Sequence, residues 1–247
     1  MLPLQRDRKG AAVRMRVTQR DQNLLGSLAA ARWLTTRQVK ALCFPQVTME
    51  MARRRLRILA SGGFVHSCRS NRMAESLHSL GANGRRVLVA GGWAEEIRLE
   101  HKPPKNIEHF LGINDIRVAV ERSARCEEIP LNFFFAYWEL LHQGWEFRII
   151  PDAACQFVHQ GKERTALFEY DRGEESPGYI LRTKFKPYAE GLDGFPFSRV
   201  LMVVETERRR NQLQNYTAKH LSLDSSKFFF ITREVLNGSW SLTSLLS

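Results

Sequence analysis

No stretch of the chain approaches the roughly 18 consecutive apolar residues of a membrane span, and the charged first residues do not read as the apolar core of a signal peptide. The expectation is a soluble, cytoplasmic protein. Cysteine is sparse. Cys43, Cys68, Cys126 and Cys155 are scattered, with no CxxC pair and no histidine at ligand spacing, which excludes both a zinc-finger pattern and a disulfide framework as readings of the sequence. The seven histidines make no HExxH motif, and no glycine-rich phosphate loop or other small-molecule fingerprint is present. Acids are scarce at one end only. The first 60 residues hold Asp7, Asp21 and Glu50 against thirteen Lys and Arg, so nearly all of the +11 formal charge resides there.

A cationic segment joined to a nearly neutral remainder points to two modules, and the usual partner of a compact cationic module is a polyanion, most often nucleic acid. At roughly 100 to 200 residues per domain, a chain of 247 residues suits one large domain or two smaller ones, and the charge split favours two. A solvated basic tail accounts for Arg6, Arg8, Lys9, Arg14 and Arg16. It does not account for the later arginine cluster, which lies inside a patterned segment.

From Thr18 the pattern is a short helical series. Leu24, Leu25, Leu28 and Ala29 form a stripe over Gln22 to Ala31, and a threonine near Leu34 to Thr36 caps a second helix, Arg37 to Phe44, which Pro45 stops. Thr48 caps a third, about Met49 to Ser61. There Met49, Ala52, Leu56 and Leu59 share one face, Arg53, Arg54 and Arg57 share the opposite one, and Arg55 flanks the apolar stripe. Gly62 and Gly63 end that helix. Phe64 to Cys68 and Ala74 to Leu80 then read as a hairpin about Arg69 to Arg72, and Gly84 to Ala90 as a further helix. Short helices followed by a basic-tipped ribbon predict a winged helix-turn-helix over residues 18–92, with 93–107 as linker. The predicted partner is double-stranded DNA, contacted by Arg37, Lys40, Arg53, Arg54, Arg57, Arg69 and Arg72.

Residues 108–247 read differently. A helix over His109 to Arg125 precedes strand-like runs at Phe133 to Leu141, Phe147 to Ile150, Ala166 to Tyr170, Arg199 to Glu205 and Lys227 to Thr232. Helical segments lie at Tyr179 to Glu190 and Arg208 to His220. This order predicts an α/β sandwich with a central mixed sheet. Asp152 is expected at the end of an apolar strand, and Glu169 and Asp171 on one face of the next. Gathered carboxylates of this kind suit Mg²⁺, which polarises phosphodiesters and activates water.

Taken together, the front segment, His109-Phe110-Leu111-Gly112-Ile113-Asn114-Asp115, Pro151-Asp152, Phe168-Glu169-Tyr170-Asp171-Arg172-Gly173, and Lys184-Phe185 with Tyr188 resemble the replication-relaxation proteins of plasmids and other mobile elements. The resemblance runs from about Gln19 to the carboxyl end. It implies a DNA-binding protein of plasmid replication, relaxation or mobilisation control, whose second half is similar to the PD-(D/E)xK nuclease superfamily. By that likeness Asp152 and Glu169 would hold Mg²⁺. The lysine expected two positions after Glu169 is replaced by Asp171, so Lys184, or less well Lys186, would supply the ammonium, with Glu121 or Glu139 as a further acid. Three functions follow: a DNA-binding protein with a degenerate nuclease-like domain, an active Mg²⁺-dependent endonuclease, or a winged-helix repressor. A homodimer and a replication or mobilisation protein are the expected protein partners, although no heptad seam marks an interface.

Overall fold

The computed structural model describes residues 16–69, 74–144, 149–191, 199–221 and 227–246. It also gives the backbone of two short strands, Leu4–Arg6 (β1) and Ala12–Arg14 (β2), which pair antiparallel. The chain divides into two compact units, Met1–Asn114 and Asp115–Ser247. Both mix helix and strand, the first around a three-stranded sheet and the second around a five-stranded one.

In the first unit, helix α1 (Gln19–Ala31) starts earlier than its apolar stripe. Thr18 and Asp21 make a reciprocal capping box: the Thr18 hydroxyl accepts from the Asp21 N–H at 3.3 Å, and the Asp21 carboxylate accepts from the Thr18 N–H at 2.7 Å. Leu24, Leu25 and Leu28 are buried beneath. Leu34–Thr35 (β3) is a two-residue strand that the pattern did not predict, because its length is too short for alternation to show. Thr35 then caps α2 (Thr36–Cys43) and Thr48 caps α3 (Met49–Ser61). Gly63, at φ 69°, takes the left-handed conformation that ends α3, whereas Gly62 does not. Strands β4 (Val65–Cys68) and β5 (Leu77–Leu80) pair antiparallel, β3 adds to β5, and α4 (Ala82–Ala90) packs on α1.

The division between units falls inside α5 (Ile107–Cys126). Its amino-terminal turns belong to the first unit, where the fully buried Asn114 side chain donates to the carbonyls of Ala31 at 3.1 Å and Trp33 at 2.7 Å.

In the second unit β6 is Leu131–Ala136, and the chain turns there into a short helix, α6 (Tyr137–Leu140), rather than continuing as strand to Leu141. The strand expected over Phe147 to Ile150 is not seen at Ile149 and Ile150, and residues 145–148 lie outside those described. The strand instead follows Asp152, as β7 (Ala153–His159), so Asp152 leads into a strand rather than closing one. Ala153 to Cys155 give no polar alternation because both faces of this strand are buried. Next come β8 (Lys162–Asp171), α7 (Pro177–Ile180), a π-helical turn over Leu181–Phe185 and α8 (Lys186–Gly191). Strand β9 (Arg199–Val204), helix α9 (Glu207–His220), strand β10 (Phe228–Thr232) and helix α10 (Arg233–Asn237) complete the unit before a 3-10 turn over Leu242–Leu246.

The sheet order is β10-β9-β8-β7-β6, antiparallel from β6 to β8 and parallel from β8 to β10. The two parallel steps need helical crossovers, supplied by α7 to α8 and by α9. Ala154, Leu167, Val200, Met202 and Val204 therefore face Ile180, Phe185, Tyr188 and Leu213 in one apolar cluster. Glu169 shares that face by alternation along β8.

Candidate functional site

On α3 the sequence-predicted faces segregate in space. Ala52, Leu56 and Leu59 are buried, Met49 half so, and Arg53, Arg54 and Arg57 are exposed. Arg53 and Arg54 make no hydrogen bond or ion pair among the described residues. Arg57 pairs with Glu50 at 2.8 Å, but both side chains are largely in water, where such a pair constrains little. Arg55 behaves oppositely. It turns inward and grips the buried Asp21 with two of its nitrogens, Nε at 2.8 Å.

Of the remaining cations predicted for this surface, Arg37 is exposed and lies 3.6 Å from Glu75. Lys40 donates to the Pro45 carbonyl at 3.1 Å, just past the end of its helix. Arg69 is exposed and donates from Nε to the Ser76 hydroxyl at 2.6 Å. Arg72 lies outside the described residues. A cleft of about 500 Å³ separates α3 from the β4–β5 ribbon, with Arg53, Arg57 and Arg69 on its walls and His78 on its floor. His78 is buried between the hydroxyls of Thr36, 3.0 Å from Nε2, and Ser67, 2.8 Å from Nδ1. Burial, with the Arg69 charge acting the same way, lowers its pKa to about 4, so the imidazole is neutral.

In the second unit, Glu169 is buried, and its carboxylate is engaged at both oxygens, by the Lys184 ammonium on one and by the Tyr188 hydroxyl on the other. Lys184 and Tyr188 are four residues apart where the π-helical turn passes into α8, which sets both over Glu169. Asp152 accepts from the Tyr170 N–H at 2.8 Å and acts electrostatically on Glu169, Lys184 and Tyr188. Burial pushes the Glu169 carboxyl up to about 7 against the pull of Lys184, and Asp152 adds to the rise. The two carboxylates Glu169 and Asp152 in turn hold Lys184 in its ammonium form despite burial.

Asp171, two residues along β8, is directed elsewhere. Arg209 of α9 grips it bidentately, Nε to Oδ2 at 2.6 Å and a terminal nitrogen to Oδ1 at 3.2 Å. Of the four residues that an active endonuclease would need to converge, Asp152, Glu169 and Lys184 gather, while Asp171 is held by Arg209. Glu139 is held by Arg117 and by the Ala136 N–H at 2.9 Å. Burial raises the Glu121 carboxyl, with Arg117 at 3.7 Å opposing it. Among the described residues no three His, Cys, Asp or Glu side chains are disposed to hold a metal ion. A divalent cation at Asp152 and Glu169 would share the Glu169 carboxylate with Lys184 and Tyr188.

A second polar network lies on the opposite face of the sheet, at the same strand ends. Tyr170 donates to Glu205, and Arg233 bonds both Glu205, at 3.2 Å, and Asp115, at 2.7 Å from Nε. Sequence reasoning missed the pairs Arg209–Asp171, Arg233–Asp115 and Arg55–Asp21, whose members lie 34 or more residues apart. Only the spacing of Lys184 and Tyr188 was available as a local signal.

No helix among the described residues is long and apolar enough to cross a membrane. The family model described as replication-relaxation matches residues 25–194, about two thirds of the chain. No curated protein and no solved structure matches it.

Proposed function

Since the chain belongs to the replication-relaxation family, we propose that it is a double-stranded-DNA-binding protein of a plasmid or other mobile element, acting in replication, relaxation or mobilisation control. The first unit serves as a winged helix-turn-helix, with α3 as its recognition helix and β4–β5 as its wing. The second unit serves as a PD-(D/E)xK-like fold that does not cut. The observation that carries the DNA reading is the exposed face of Arg53, Arg54 and Arg57 on a helix whose other face is locked into the core. Guanidinium groups held on a rigid helix reach phosphates and guanine edges in the major groove. The non-cutting reading is supported by the engagement of Glu169 at both oxygens and the diversion of Asp171 to Arg209.

Duplex affinity measured against salt tests the first part. Counterion release gives a slope near −0.9 in log K per phosphate contact, so replacing Arg53, Arg54 and Arg57 with Ala should flatten it by about three. A wild-type affinity that ignores salt refutes duplex binding.

The second reading is a Mg²⁺-dependent endonuclease, favoured by the gathering of Asp152, Glu169 and Lys184. Asp152 and Glu169 would hold the ion and Lys184 would steady the transition-state charge. Supercoiled plasmid incubated with Mg²⁺ or Mn²⁺ separates the two readings. Cleavage by the wild type but not by Asp152→Ala establishes the nuclease, and cleavage by neither supports the binder.

A further inference from the structure

Outside the surfaces discussed above, the second unit carries a basic and aromatic seam where α7 packs on α9. Tyr179, Arg182 and Lys186 are exposed at helical spacing along one side of α7, the π-helical turn and α8. Lys184 and Tyr188 point the other way, to Glu169. Across the seam on α9, the Tyr216 ring packs against the His220 ring, centroids 4.3 Å apart and tilted by 37°. The two sides meet at Gly178. A methyl placed there would lie 3.1 Å from the Tyr216 hydroxyl, tighter than ordinary contact, and 3.6 Å from an Arg182 terminal nitrogen, so glycine leaves room for the Tyr216 hydroxyl beside α7 with Arg182 close by. Arg208 and Lys219 lie on the Tyr216 side of α9 and are exposed. Neither they nor Arg182 and Lys186 have a hydrogen-bonding or ionic partner among the described residues.

A packed helix pair ordinarily buries its aromatic rings and pairs its charges. Here Tyr179 is 46% exposed, and Arg182, Lys186, Arg208 and Lys219 are unpaired among the described residues. Cations spaced along a seam attract a phosphate backbone. The exposed Tyr179 ring and the uncovered part of the half-buried Tyr216 ring offer a stacking surface to bases, which a duplex keeps stacked inside and a single strand presents. We infer that the α7–α9 seam binds single-stranded nucleic acid, with bases on Tyr179 and Tyr216 and phosphates on Arg182, Lys186 and Arg208. The seam acts independently of the duplex surface on α3.

The test uses the full chain bearing Arg53→Ala, Arg54→Ala and Arg57→Ala, so that loss of duplex binding does not hide the second surface. Labelled oligo(dT) should still bind by fluorescence anisotropy, and unlabelled oligo(dT) and oligo(rU) should both compete, because stacking on a ring does not read the sugar. Adding Tyr179→Ala or Arg182→Ala should weaken binding roughly five-fold or more. Both side chains are exposed, so neither change removes core packing. Photocrosslinking of wild type to oligo(dT) bearing 5-iodouracil should mark Tyr179 or Tyr216. Loss of oligo(dT) binding with the three arginines, equal competition by duplex, or crosslinks confined to other elements would overturn the inference.

Discussion

The inward turn of Arg55 separates stability from binding on one helix, and Asp21→Asn tests it. Asp21 is 1% exposed and the Arg55 side chain 25%. The substitution takes away the anion that two arginine nitrogens share and weakens the cap on α1. Removing one partner of a buried pair costs about 3–5 kcal/mol because the other charge is left without compensation. Partial access of Arg55 to water puts the expected loss at the low end, about 3 kcal/mol. Against a total stability of about 5–15 kcal/mol this is a large share. Hydrogen exchange of α1 and α3 amides, which reports the first unit alone, should show their protection falling by that amount. Asp21→Asn combined with Arg55→Met should recover part of it, since the unpaired charge is then gone. Burial acts to raise the Asp21 carboxyl, but the bonds from Arg55 and Thr18 outweigh it and hold the group below its ordinary value. Its stabilisation is therefore present above the unfolded pKa and is lost as the pH falls through the folded one. A loss under about 1 kcal/mol, the value of an exposed pair, would refute the reasoning.

Three other outcomes follow from the same geometry. The His78 imidazole, followed by NMR, should titrate near 4 rather than 6.5; because its folded pKa is depressed, the first unit should be stable above 6.5 and lose stability as the pH falls toward 4. Glu169 has the reverse sign: its raised pKa gives stability that is full below about 4.5 and lost as the pH rises through about 7, a dependence that urea midpoints should show and Glu169→Gln should flatten. Gly84→Ala should destabilise the first unit by about 1–3 kcal/mol in thermal unfolding, because its methyl would come within 2.3 Å of the Phe64 carbonyl oxygen and 2.9 Å of Leu25; unchanged stability would mean that α4 shifts freely.

Much of the first unit was legible because its signals are local. Thr35 and Thr48 cap helices as their positions predict, and the apolar stripe of α3 is the buried one. The second unit was less so. Its strand β7, buried on both faces, shows no alternation, and α6 interrupts a run of aromatic residues that reads as strand. Asp152, Glu169, Asp171 and Lys184 were each selected from the sequence, but nothing local to Asp171 pointed to Arg209, 38 residues farther along, as its partner.

By itself the sequence determined where charge and apolar surface fall: cations on one side of a capped helix, carboxylates at strand ends, and a lysine one turn before a tyrosine. Periodicity and capping act over a few residues, so they can be read from the chain alone. Only the tertiary structure decided which charges meet. Two crossovers set α7, α8 and α9 beside β8, and this brings Lys184 and Tyr188 to Glu169 and Arg209 to Asp171. The packing of α1 against α2 and of α2 against α3 turned Arg55, alone among its neighbours, inward to Asp21. A buried carboxylate requires a partner whose identity depends on which distant segment folds over it.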